Sequence, residues 1–299
     1  MRWIDLIDPT QAELTAHLPT ELHPTAVDLL LAPLVHDDEP RPRIESHGTY
    51  VVGVLLVAVA VPDEDRVYYE EVDFILTAAS FVTVSKTPPG EMPFDPRPAK
   101  EACHPDEPTG MYLFRLVDEV AERYLDLIDD LNGEIDELED SIEEWPAPKV
   151  RDRISMLRHD LLRIRRTLAP TRDAVHAVID DRVELEAGDL FPRDVELHFA
   201  DAYDKLLRAS DGLETSRDLV AGVRDYFLAK LANDQNEVVK RLTVVASLLL
   251  VPTFIVGLYG QNFHDIPELG WSFGYWWSWG WIVATTIAQL VYFRRKRWL

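Results

Sequence analysis

The stretch KRLTVVASLLLVPTFIVGLYGQN, Lys240 to Asn262, decides how this chain folds. No Lys, Arg, Asp or Glu falls between Arg241 and Asp265, and Leu242 to Tyr259 are almost all apolar or small. Crossing the hydrocarbon of a bilayer takes about 20 residues at 1.5 Å each, so the run predicts a membrane-spanning helix. A buried helix of a soluble domain would normally carry polar residues at helical spacing. A second uncharged run, Gly270 to Phe293, follows after a linker too short to hold a domain. Together they predict a membrane hairpin over 242–299, with spans at about 242–260 and 273–293.

The flanks orient the hairpin. Lys240 and Arg241 precede the first run and Arg294, Arg295, Lys296 and Arg297 follow the second, whereas the linker HDIPELGWSFG has no Lys or Arg. Basic residues stay on the cytoplasmic side, so both termini are expected inside and the linker outside, in a plasma (inner) membrane. Six of the eight tryptophans, among them Trp271, Trp276, Trp277 and Trp298, lie in the last thirty residues, where amphipathic rings settle at membrane interfaces.

The roughly 240 residues before the first span form a cytoplasmic body, so the overall class is α+β. In residues 1–108, RWIDLI, TYVVGVLLVAVAV and VYYEEVDFILTAASFVTVSK read as strands. Thr10 and Glu13 are spaced as a capping box for a helix in TQAELTAHL. KTPPGEMPFDPRP breaks regular structure near 87–98. From Thr109 to 241 the pattern changes to long amphipathic helices, interrupted at WPAP. A last helix is predicted from Pro192 or Asp194 onward, meeting no proline until Pro252, inside the first span. It would run as one stalk of roughly 90 Å from cytoplasm into bilayer. Along it Phe199, Tyr203, Leu206, Leu213, Val220, Val223, Phe227 and Leu231 make a stripe at near coiled-coil spacing. Such a stripe needs partner helices, expected to be copies of this chain.

Composition narrows the function. The net charge of −23 disfavours a nucleic-acid partner, which is bound through clustered Lys and Arg; a cationic partner fits better. Acidity alone is also an ordinary solubility device. A single cysteine, Cys103, rules out an internal disulfide framework or a multi-cysteine zinc site, and Cys103-His104 reads as loop. The start, MRWIDLIDPT, has no apolar stretch of signal-peptide length. No Gly-rich phosphate loop, HExxH or nucleophile constellation marks an enzyme. A membrane-anchored scaffold remains a non-transport alternative, because long acidic helices can serve as docking surfaces.

The short-looped hairpin, the stalk continuous with the first span and the Tyr259-Gly260-Gln261-Asn262-Phe263 turn at its outer end together resemble the CorA family of divalent-cation channels. WIDL near the start, His23-Pro24, RPRIE at 41–45, NEVVKRLT at 236–243, PELGWSFGY at 267–275 and the basic end with Trp298 extend the likeness over nearly the whole chain. The family's tripeptide is Gly-Met-Asn; Gln261 replaces its methionine here.

The resemblance implies a homopentameric funnel in the lipid bilayer, the first span lining a pore and the second packed outside it, passively admitting Mg²⁺ and, by the same implication, Co²⁺ or Ni²⁺. Because Mg²⁺ sheds water reluctantly, five Asn262 side chains could meet the hydrated ion with neutral oxygens, as a filter with Gly260 and Gln261. Gly260 would let the backbone bend or approach closely there, and Tyr259 and Phe263 would brace the turn by packing. A helix C-cap is the other reading of Asn262. Positions matching the family's pore are Asn236, Val239, Leu250, Thr253 and Gly257, with Leu242 a further constriction; for Thr253 and Gly257 tight helix packing serves equally well. The family's regulatory carboxylates match Asp28, Asp118 and Asp201, which would bind cytoplasmic Mg²⁺ between subunits and hold the pore shut. Leu29 stands where the family has a second acid beside the first. Since the zinc branch of the superfamily also varies the middle residue of the tripeptide, Zn²⁺ stays open as cargo.

Overall fold

The computed structural model describes residues 2–18, 22–33, 39–61, 66–186, 189–262 and 266–298. In chain order the elements are β1 (Arg2–Ile7), α1 (Gln11–His17), α2 (Pro24–Leu31), β2 (Arg43–Ser46), β3 (Val51–Val61), β4 (Arg66–Leu76) and β5 (Ser80–Lys86). A short α3 (Arg97–Glu101) follows, then α4 (Thr109–Ser141), α5 (Ala147–Ile179), α6 (Arg193–Tyr259), a 3₁₀ turn at Pro267–Gly270 and α7 (Gly274–Arg295). The chain divides into two compact units, Met1–Arg224 and Asp225–Leu299. The sheet and the helices α4 and α5 therefore belong to one unit.

In the first unit the strands form a mixed sheet in the order β1-β5-β4-β3-β2, parallel between β1 and β5 and antiparallel elsewhere. Val51 to Ala58 are buried without alternation, the pattern of a strand covered on both faces. On one face Leu14 of α1 and Ala26 and Leu30 of α2 pack with Val52, Ile75 and Val84. On the other, Trp3 stacks edge-on to Phe81 (4.8 Å) and lies 6.2 Å from Tyr112 of α4, its indole N–H donating to Thr83 at 2.9 Å. Both short helices start as their sequences dictate. Thr10 and Glu13 close the capping box of α1, and α2 opens with Pro24 after an N-cap at His23, where a missing N–H costs nothing.

Three buried charges sit beneath α2. Lys86 bridges Glu71 and Asp73 (2.7 Å to Asp73) and donates to the Leu29 carbonyl at 3.0 Å. Asp73 is fully buried, and its oxygens make no aligned hydrogen bond. Burial pushes its carboxyl up to about 7 against the pull of Lys86. Lys86, which burial would lower, is held up by its two acids.

The stripe along α6 departs from expectation. Phe199, Leu206, Leu213, Val220 and Val223 are buried within this one chain. Phe199 meets Phe114 and Phe191, and Ser216 donates to Asn132 at 2.7 Å. Contacts advance together along α4 and α6, from Phe114–Phe199 through Asp118–Lys205 to Asn132–Ser216, so these helices run parallel. Those of α5 run the other way, His176 to Tyr203 and Arg165 to Glu214. The stripe's partners here are the chain's own helices, because two long helices precede it and cover that face; copies of the chain are not required for it.

Candidate functional site

The second unit holds the C-terminal part of α6, the turn after it and α7. Among the described residues α6 is the one helix long and apolar enough to cross a membrane, and only 6 % of its apolar window is buried. Leu242 to Tyr259 span about 27 Å, close to the ~30 Å hydrocarbon thickness. The helix continues through Pro252, which cannot donate to the Leu248 carbonyl. One residue on, Thr253 folds its hydroxyl back onto the Leu249 carbonyl at 2.7 Å.

Burial separates two faces of this segment. Val244, Ser247, Leu248, Val251, Pro252, Ile255 and Tyr259 are buried or half-buried, an arc of about 140° at 100° per residue. Gln289 of α7 donates to the Ser247 carbonyl at 3.1 Å, which seats α7 on that arc. Asn236, Val239, Leu242, Leu250, Thr253 and Gly257 are all exposed, Leu250 by 72 %. They share an arc of about 120° whose centre lies about 150° from the first. The candidate pore positions thus share one open face of the helix, turned away from α7.

At its end α6 stops at Tyr259, and the Gly260 N–H still reaches the Val256 carbonyl at 2.9 Å. Gly260 has no left-handed backbone; a Cβ there would lie 3.1 Å from the Val256 carbonyl oxygen, a tight contact that the glycine avoids. Gly260, Gln261 and Asn262 are exposed, and Tyr259 is half-buried. Phe263 lies outside the described residues. Aromatic rings gather at both ends of α7: Trp271 against Phe273 and Trp277 at one, Phe293 stacked on Trp298 (5.9 Å) at the other. The basic run Arg294 to Arg297 closes the second end.

The carboxylates expected to bind regulatory metal stand on three helices. Asp28 on α2 and Asp201 on α6 are exposed, whereas Asp118 on α4 is half-buried and accepts from Lys205 at 2.7 Å. Lys205 also holds Glu122 at 2.5 Å. Burial would lower the Lys205 ammonium, but its bonds to these two acids raise it. Among the described residues of one chain, no group of three or more His, Cys, Asp or Glu side chains is placed to hold a metal ion. The Lys205 bridge was not anticipated from sequence, because partners 87 residues apart leave no local signal.

Residues 1–295 match the family described as CorA-like Mg²⁺ transporter protein. The chain belongs to the CorA-like Mg²⁺ transporter family. Like that family it is a membrane transport protein and not an enzyme. It is 30 % identical over 284 residues to the cobalt/magnesium transport protein CorA of Thermotoga maritima, covering 93 % of this chain and 77 % of that one. It is 31 % identical over 190 residues to the putative metal ion transporter YfjQ of Bacillus subtilis, covering 63 % of this chain and 58 % of the relative. A zinc transport protein, ZntB of Yersinia enterocolitica, is 27 % identical over 191 residues, 64 % of this chain and 57 % of its own. The solved CorA magnesium transporter of Methanocaldococcus jannaschii shares the fold, with a TM-score of 0.79 at 21 % identity, covering 99 % of this chain and 91 % of that one.

Proposed function

We propose that this CorA-family chain assembles as a homopentamer that passes Mg²⁺, and with it Co²⁺ or Ni²⁺, passively into the cytoplasm. The observation that carries the reading is the open face of α6, which ends at Gly260-Gln261-Asn262 and is turned away from α7. Five such faces around an axis would make a pore whose Leu250, Leu242 and Val239 rings form dry constrictions, with Thr253 and Asn236 offering oxygen between and below them. Gly257 would let the helices approach closely.

The second crossing is α7. It is less apolar than the α6 segment because tryptophans crowd its start, but it carries no charge before Arg294, its 22 residues are long enough, and its aromatic ends match the two interfaces of a bilayer. With basic residues at both cytoplasmic edges, the termini lie inside and the Asn262 turn outside.

Regulation follows from the exposed carboxylates. Mg²⁺ keeps most of its waters and takes one or two carboxylates, which suits Asp28 and Asp201 contributed by neighbouring subunits. Asp118 joins them by sharing itself with Lys205, whose positive charge makes it the weakest of the three ligands. Bound Mg²⁺ would relieve repulsion across the subunit boundary and favour the closed pore.

Zinc is the second reading for cargo, favoured by Gln261 in the tripeptide and by the zinc-transporting relative. Flux of Mg²⁺, Co²⁺, Ni²⁺ and Zn²⁺ into liposomes, compared side by side without ATP, separates the two. Fastest passage of Mg²⁺ down its gradient is expected; Zn²⁺ entry with no Mg²⁺ entry would transfer the chain to the zinc reading, and no flux of any ion would favour the scaffold.

A further inference from the structure

A cavity of 690 Å³ opens in the first unit between the Glu39–Arg41 segment and α5. Four arginines, Arg41, Arg163, Arg165 and Arg166, line it together with His159, against two carboxylates, Glu39 and Asp173. In a chain of charge −23 such a concentration of guanidinium runs against the overall acidity. Both carboxylates are already engaged: Arg163 holds Glu39 at 2.6 Å, and Asp173 is held at 3.2 Å by Arg172, the residue just before it on α5. Arg165 is half-committed to Glu214 at 3.5 Å. Arg41 and Arg166 are exposed and form no ion pair with any described residue.

We propose that this cavity binds a small oligophosphate, an anion carrying two or more phosphate groups. Each guanidinium is a rigid fork that matches two phosphate oxygens. The two uncommitted forks come from different elements, one before β2 and one on α5, so they suit separate phosphates of one ligand. Arg165 can turn from its long contact with Glu214 to add a third. The volume falls within the range of small-molecule sites, roughly 300–1,000 Å³. Length is limited by charge: the local positive field reaches only about 10 Å at 0.1 M salt, beyond which a long polyanion such as RNA would meet an acidic surface. The proposal does not depend on the transport reading.

The test is calorimetric titration of the full chain in detergent with inorganic triphosphate, in low salt and without divalent ions. Saturable binding is expected, weakened about tenfold or more, or 1.4 kcal/mol, in the Arg41→Ala/Arg166→Ala double variant. Arg158→Ala, an exposed arginine of α5 outside the cavity, should bind as the wild type does, and orthophosphate should bind more weakly than triphosphate. The single variants Arg41→Gln and Arg166→Gln, each expected to weaken binding part-way, keep the test valid if the double variant is unstable. Absence of saturable binding to the wild type overturns the proposal, as does an equal loss in Arg158→Ala. So does a double variant that changes oligomeric mass while triphosphate binds neither protein, since the cavity would then be a contact between copies.

Discussion

The two ends of α6 obey one helical geometry and meet opposite surroundings. From Phe199 to Val223 one stripe of it is buried at three- and four-residue spacing against α4 and neighbouring elements of the same chain, while Leu207 and Leu219 face outward. From Val238 onward the apolar residues outside the arc that meets α7 are bare: Val238 is 64 % exposed, Leu242 68 %, Leu250 72 % and Phe254 69 %. A chain in water does not leave such a surface open, and the absence of charge between Arg241 and Asp265 fits lipid on part of it. The first stretch is finished by its own fold. The second is completed only by a bilayer and, on our reading, by other copies.

Substituting the same residue type on either side of that divide should separate the two most widely. Phe199→Ala removes a fully buried ring and is expected to destabilise the cytoplasmic body by about 3–5 kcal/mol. Phe254→Ala should leave body unfolding within about 0.5 kcal/mol of the wild type. Near-UV circular dichroism during thermal unfolding in detergent measures both; equal losses would mean that the segment around Phe254 is part of the body's core. Next in size is Asn262→Ala. If five asparagines face the hydrated ion, losing them removes hydrogen bonds to a charged species worth ~1.5–3 kcal/mol each way, and Mg²⁺ uptake should fall by an order of magnitude or more. Uptake at the wild-type rate would take Asn262 out of the filter. Smaller again is Asp201→Lys, which puts an ammonium where the sensor reading needs a carboxylate. The internal Mg²⁺ that half-closes the pore should rise several-fold, a coupling of about 1 kcal/mol. An unaltered dose response would discard Asp201 as a sensor.

Much of this contrast was legible in the sequence because it depends on local pattern. Strands β1, β3, β4 and β5 follow from runs of β-branched residues, α1 from its capping box, and the membrane segment from missing charge. The family match and the shared fold bear out the overall class. Less legible were features set by partners distant in sequence. The four residues of β2, at the sheet edge, are too few to show a period, so RPRIE carries a family likeness but no strand signal. The stripe on α6 announced a helical partner without saying which, and the nearer helices took the place assigned to copies. The filter and candidate pore residues rested on the resemblance; their spacing already sets the pore candidates on one side of a helix, and what burial adds is that this side is open and turned away from α7.

Glu71 and Asp73 show the same limit most sharply, since charges in a strand read as solvent-facing, yet both are buried with Lys86 under α2. Their last consequence is one of slope with pH. The Asp73 carboxyl is pushed up to about 7 by burial, with Lys86 opposing and Glu71 adding to the rise, from an ordinary 3.8. Between those two values the folded body holds a proton that the unfolded chain releases, so stability falls as pH rises through the window and levels off above about 7. Asp73→Asn leaves Lys86 paired with Glu71 alone and removes this proton. The variant should therefore lose less stability than the wild type between pH 4 and 8, keeping a residual slope from Glu70, which burial also pushes up to about 7. Thermal unfolding at both pH values measures the difference, and parallel slopes in the two proteins would show that Asp73 is already ionised throughout, with Lys86 outweighing the cost of its burial.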